Sequence, residues 1–128
     1  MTFSLSNLLI VGAGSCFGGM ARYIVSRIVQ TSTSGTFPWG TFTVNVIGCL
    51  IIGIIYGLLD RGFQLSDGMK LFLTVGFCGG FTTFSTFMHE NYLLFEGGNP
   101  LIFLLYAALS FSAGLCLIYL GYYLTKLA

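Results

Sequence analysis

Gly79-Gly80-Phe81-Thr82-Thr83-Phe84-Ser85-Thr86-Phe87 sets a glycine pair and a run of hydroxyl residues inside a segment otherwise apolar enough to span a membrane. Glycine adjoining small hydroxyl residues weakens a helix, because it gives up backbone order and offers side chains that compete for backbone hydrogen bonds. Polar backbone at membrane depth is tolerated only where protein buries it or where it lines a cavity. Gly79 and Gly80 therefore have two readings: they release carbonyls from the helical ladder, or they let another helix approach closely. A break would present oxygen ligands to a hard cation, and sodium is the natural candidate because carbonyls hold it without a carboxylate.

Composition says which solvent surrounds this segment. The chain of 128 residues is 55% hydrophobic and 7% charged, with a mean hydropathy of +0.90, whereas soluble domains carry about 25% charged residues. The expected fold is all-α and membrane-integral. No Asp, Glu, Lys or Arg occurs from Ile28 through Leu59 or from Gly97 through Thr125, and each interval has room for one spanning helix. Leu5 to Val29 and Leu71 to Met88 supply two more, with connectors at Thr31 to Pro38, Asp60 to Asp67 and Glu96 to Pro100. The expectation is a single four-helix transmembrane unit over residues 1–128. No cleavable signal peptide is expected, because a basic n-region is missing and the first apolar segment runs on to Arg22 and Arg27.

With four spans both termini share one side, which receives Arg61, Lys70 and Lys126, while the other receives Arg27 and, less cleanly, Arg22. The positive-inside rule has little to act on. Either the small bias suffices for one orientation, or the chain inserts both ways and an antiparallel dimer forms. Gly14 with Gly18, Ser15 with Gly19, and Gly53 with Gly57 match the small-xxx-small pattern. That pattern serves packing within one bundle or contact with a second copy.

Phe84 and Phe87 stand three residues apart and share a helix face, with Ser85 and Thr86 beside them. Aromatic pairs at this spacing are usually core; presented edge-on, their positive rims stabilise a dehydrated anion. Asn45, midway along the second helix, carries two N–H donors, and Tyr106 and Ser110 form a stripe of O–H donors on the fourth. Each of these is either interhelical glue or part of a polar track without charge.

Here the residues resemble a known family along nearly the whole chain. GGMARY at Gly18 to Tyr23, GTFTVNVIG at Gly40 to Gly48 and GFCGGFTTFSTFMHE at Gly76 to Glu90 follow the order and spacing of the Fluc (CrcB) fluoride channels. The resemblance implies a dual-topology antiparallel homodimer in a bacterial inner membrane. Its two pores would pass cytoplasmic fluoride outward and so relieve fluoride toxicity. It also implies a structural sodium ion held centrally by the backbone carbonyls of Gly79 and Thr82. Asn45, Phe84 and Phe87 take the places of the family's pore residues, Ser85 and Thr86 those of nearby hydroxyl donors, and Tyr106 with Ser110 the start of its polar track. The chain departs from the longer track pattern at Gly114, with Ser112 displaced around the helix.

Selecting fluoride over chloride calls for a narrow passage that replaces water with several donors and ring edges. A negative-inside potential drives the trapped anion out with no coupling residue. Arg22 either attracts anions at a vestibule or snorkels to the interface, and Glu90 is expected to lie just beyond the third helix and mark its end. Cys16, Cys49, Cys78 and Cys116 lack metal-ligand spacing, and with one histidine and no phosphate loop the parts of an enzyme are missing. A net charge of +1 offers no nucleic-acid face. The rival readings are a small multidrug-type four-helix transporter, which needs an embedded carboxylate, and an accessory membrane subunit with no pore of its own.

Overall fold

A computed structural model describes residues 3–127. Helix α1 (Leu5–Ser32) starts where the Ser4 hydroxyl accepts the Asn7 backbone N–H at 3.1 Å, which satisfies one of the open donors of a helix N-terminus. Helix α2 (Trp39–Asp60) follows Pro38. A short α3 (Asp67–Leu71), capped by Ser66, runs directly into a π-helical stretch, Phe72–Cys78, and then into α4 (Gly79–Phe81). The chain then leaves the helix from Thr82 to Phe84 and resumes as α5 (Ser85–Glu96). Gly98, at φ +80°, turns the chain into α6 (Pro100–Lys126), a backbone angle that glycine adopts without steric cost. No strand occurs among the described residues.

Among the described residues four helical spans are long and apolar enough to cross a membrane: Leu5–Ser32, Trp39–Asp60, Asp67–Glu96 and Pro100–Lys126. Those are the four the sequence leads one to expect. The third runs well past Met88, so Glu90 lies inside it and does not mark its end. The outer surface is correspondingly apolar, with Leu9, Phe17, Ile28, Leu101, Phe111 and Tyr119 exposed. In water such a surface would aggregate; in lipid it costs nothing.

Glycine sets the helix spacing. A methyl group at Gly18 would collide with the Phe77 carbonyl, and one at Gly14 would sit 2.9 Å from Gly76 Cα, so α1 lies backbone-to-backbone against the π-helical stretch. On the other side of the bundle Gly53 abuts Ile118, Gly57 abuts Thr125, and Gly121 abuts Gly53 and Leu50, which lets α2 and α6 cross closely. The Gly14/Gly18 and Gly53/Gly57 pairs are thus used within the single chain. Without a hydrophobic drive between helices in lipid, this close approach supplies the dispersion and weak C–H···O contacts that hold them. The core is small: Val44 and Tyr106 are fully buried, with Phe81 and Leu94 nearly so.

Candidate functional site

The gap between α4 and α5 is shaped by side chains reaching it from α1 and α2. From mid-α2, Asn45 accepts the Thr83 backbone N–H on Oδ1 at 2.8 Å and donates Nδ2–H to the Thr83 carbonyl at 3.1 Å. Gly48, one turn further along α2, has no side chain because the Thr82 methyl occupies that space. From α1, Arg22 donates Nε–H to the Gly80 carbonyl at 3.0 Å. Arg22 is half-buried and tied to the third span by this bond. Within the gap the Thr83 hydroxyl accepts the Thr86 N–H at 3.2 Å, as a helix cap does, and starts α5.

Gly79 and Gly80 themselves keep helical geometry; Thr82 is the residue that turns extended, at φ −93°, ψ 162°. Gly80 is required for packing, since a methyl there would press on Ser15 of α1. At Gly79 a methyl group would be tolerated, coming no closer than 4.0 Å to the Thr74 carbonyl. Two helical donors are diverted here. The Thr83 N–H that would close on the Gly79 carbonyl goes to Asn45, and the Thr86 N–H that would close on the Thr82 carbonyl goes to the Thr83 hydroxyl. The carbonyls of Gly79, Phe81 and Thr82 consequently have no donor among the described residues.

Beside this gap runs an uncharged groove of about 610 Å³. Asn45 and Gly48 from α2, Thr74, Cys78, Gly79, Thr82, Thr83, Phe84 and Phe87 from the third span, and Ala107, Ser110 and Phe111 from α6 line it. Its walls are mostly apolar, with a few polar groups converging on them. Asn45 keeps one amide N–H after serving Thr83. The Ser110 hydroxyl is buried with no partner among the described residues, which is costly unless a ligand or water completes it. The Phe84 and Phe87 rings lie 6.1 Å apart at 43°, Phe84 largely exposed.

Of the residues singled out in the sequence, Asn45, Phe84, Phe87, Ser110, Gly79 and Thr82 come together along this groove, while Ser85, Thr86 and Tyr106 do not line it. Ser85 is exposed beyond the gap, and Thr86 contributes its backbone N–H to the cap. Tyr106 is fully buried: its ring meets Phe87 edge-on at 4.9 Å, and its hydroxyl donates to Glu90 Oε1 at 2.7 Å. Gly114 leaves space filled by Cys49 Sγ, and Ser112 is exposed, so the hydroxyl stripe on α6 stops at Ser110.

Sequence reasoning missed three participants. Glu90 is embedded in α5, where Oε2 accepts the Thr41 hydroxyl at 2.8 Å and Oε1 that of Tyr106. Thr41 and Asn45, four apart on one face of α2, were a signal for that polar stripe. Thr83, in the middle of the hydroxyl run, gave no sign that its backbone and side chain would both be engaged.

A model of the CrcB-like protein family, described as camphor resistance (CrcB), matches residues 9–122. The chain belongs to the CrcB family. The expected family membership holds. Among similar relatives, one from Chlorobaculum tepidum is 46% identical over 123 residues, covering 96% of this chain and 97% of its own. One from Azobacteroides pseudotrichonymphae is 39% identical over 122 residues, covering 95% and 98% respectively. A third, from Leptospira interrogans, is 39% identical over 127 residues and covers 98% of both. All three are named fluoride-specific ion channel FluC. The CrcB relatives are thus named as channels and not as enzymes.

Proposed function

We propose that this protein is a fluoride-selective channel subunit that passes the anion passively through the groove between α2, the third span and α6. The carrying observation is that Asn45 with its spare N–H, Ser110 with its unpartnered hydroxyl, and Phe84 and Phe87 all line one uncharged groove. Donors and ring edges without a fixed cation replace water around a small anion and still let it leave. The relatives' shared name supports fluoride as that anion.

Asn45, Phe84, Phe87 and Ser110 are the contacting residues in this reading. Tyr106 acts behind them by fixing the Phe87 ring, and Ser85 and Thr86 lie at the gap's far side. The groove is open along one side, and a second copy in antiparallel orientation would close it and give two equivalent pores. This pairing fits the near-balanced distribution of Arg and Lys at the ends of the spans. The carbonyls of Gly79 and Thr82 suit a hard monovalent cation such as sodium, because both have lost their helical donors and both residues line the groove. When bound, such an ion supplies positive charge that holds two helix breaks together. In a bacterial inner membrane the negative interior would drive fluoride outward and relieve its toxicity.

A proton-coupled cation exporter would need its carboxylate in the pathway. Glu90 is embedded, yet it does not line the groove, and both its oxygens are occupied by Thr41 and Tyr106.

The test is efflux from liposomes loaded with fluoride or chloride, read by ion-selective electrode with valinomycin present. Fast fluoride release without matching chloride release, abolished by Phe84→Ile or Phe87→Ile in protein that still elutes as a dimer, is the expected result. Fluoride retention by the folded, reconstituted wild type would overturn the reading.

A further inference from the structure

Both diversions at the gap run through one residue, Thr83. The Thr83 N–H is turned from the Gly79 carbonyl to Asn45, and the Thr83 hydroxyl draws the Thr86 N–H from the Thr82 carbonyl. A carbonyl engaged by a helical N–H has its lone-pair density directed along the helix and offers a cation less; one without a donor is free to coordinate. Threonine in a regular helix points its hydroxyl back at the preceding turn, as Thr31 in α1 does to the Arg27 carbonyl at 2.8 Å. Thr83 instead points forward, because its backbone has already been drawn out of the helix by Asn45.

We infer that Thr83 is the positioning residue of the cation site: its amide and hydroxyl together keep the Gly79 and Thr82 carbonyls undonated. The inference rests on the proposed cation site and adds a linkage to it. Asn45 contributes to the groove and to the Thr83 clamp with the same amide, so the geometry that frees the carbonyls also fixes the direction of the remaining Asn45 N–H. Cation occupancy and groove geometry are then coupled through a single side chain–backbone pair. Thr83 itself lines the groove, so a disturbance on either side reaches it directly.

The residue's identity matters in a way that pure packing would not explain. Serine at this position keeps the hydroxyl acceptor; valine keeps the shape and loses it. In Thr83→Val the Thr86 N–H is left without its acceptor and returns to the Thr82 carbonyl or to water, while the Thr83–Asn45 clamp remains. With the Thr86 N–H returned to it, the Thr82 carbonyl is shared between a donor and the cation, a competition worth about tenfold in affinity.

The experiment follows thermal unfolding of the purified full chain as sodium chloride replaces N-methylglucamine chloride at constant ionic strength, which yields an apparent sodium affinity without any flux. Wild type and Thr83→Ser are expected to be stabilised at similar sodium concentrations. Thr83→Val is expected to need about tenfold more sodium, with its unfolding temperature in N-methylglucamine changed far less. A wild-type sodium response that Thr83→Val retains unchanged overturns the role of Thr83 while leaving the cation site standing. A wild type indifferent to sodium removes the cation site and this inference with it. Loss of sodium response in Thr83→Ser as well as Thr83→Val also overturns it, because the hydroxyl would then not be the operative group.

Discussion

Asn45 and Thr83, thirty-eight positions apart in sequence, are joined by a two-point amide-to-backbone clamp with arms of 2.8 and 3.1 Å. The clamp stands in for the helical bonds that Thr83 lacks. Asn45→Ala should leave a buried N–H and carbonyl unpaired and cost about 1–3 kcal/mol. Hydrogen exchange should accelerate at the Thr83 amide and not at α6 amides. An unchanged exchange rate at Thr83 would show that the clamp is dispensable.

Tyr106 and Glu90 share a hydrogen bond of 2.7 Å in the interior. Tyr106→Phe keeps the ring against Phe87 and deletes only the donor, so it should cost about 1–3 kcal/mol, the range for leaving a polar partner unsatisfied. A double-mutant cycle with Glu90→Gln, read by thermal unfolding in detergent, should give a coupling energy of about 1 kcal/mol or more. Additive effects would separate the two residues.

The glycines divide sharply by position. Gly18→Ala and Gly53→Ala drive a methyl into the backbone of a neighbouring helix, and overpacking of this kind costs about 1–3 kcal/mol. Gly12 has nothing within 4 Å of where a methyl would go, so Gly12→Ala should be neutral or gain up to about 1 kcal/mol from helix propensity. Comparison of the three melting temperatures in one detergent decides the matter, and equal losses at Gly12 and Gly18 would contradict the packing described.

Arg22 gives the Gly80 carbonyl a charge-assisted donor from α1. Arg22→Gln should weaken that tie by about 1.5–3 kcal/mol, and Arg22→Lys should rescue it poorly because a lysine lacks the fixed guanidinium plane. If both variants unfold at the wild-type temperature, the contact has no energetic weight.

Sequence alone was enough for the four spans and their connectors, because spacing between charges and the length of apolar runs are local properties that lipid reads directly. It was also enough for the family, since motifs from three spans keep their order and spacing. The π-helical stretch at Phe72–Cys78 has no comparable signature; it lies where α1 comes closest to the third span, at Gly76 and Phe77. Tertiary structure alone decided which way each polar group turned. Tyr106 reads either as part of a polar track or as interhelical glue, and its hydroxyl goes to Glu90; Glu90 reads as a helix end and is instead embedded, because each finds its partner on a different span. The glycine pair reads as the place of the irregularity, yet the backbone departs at Thr82 and Thr83. An N–H goes to the strongest acceptor within reach, and whether that is the fourth carbonyl back or an asparagine on a neighbouring helix is a matter of three-dimensional proximity that no local pattern encodes.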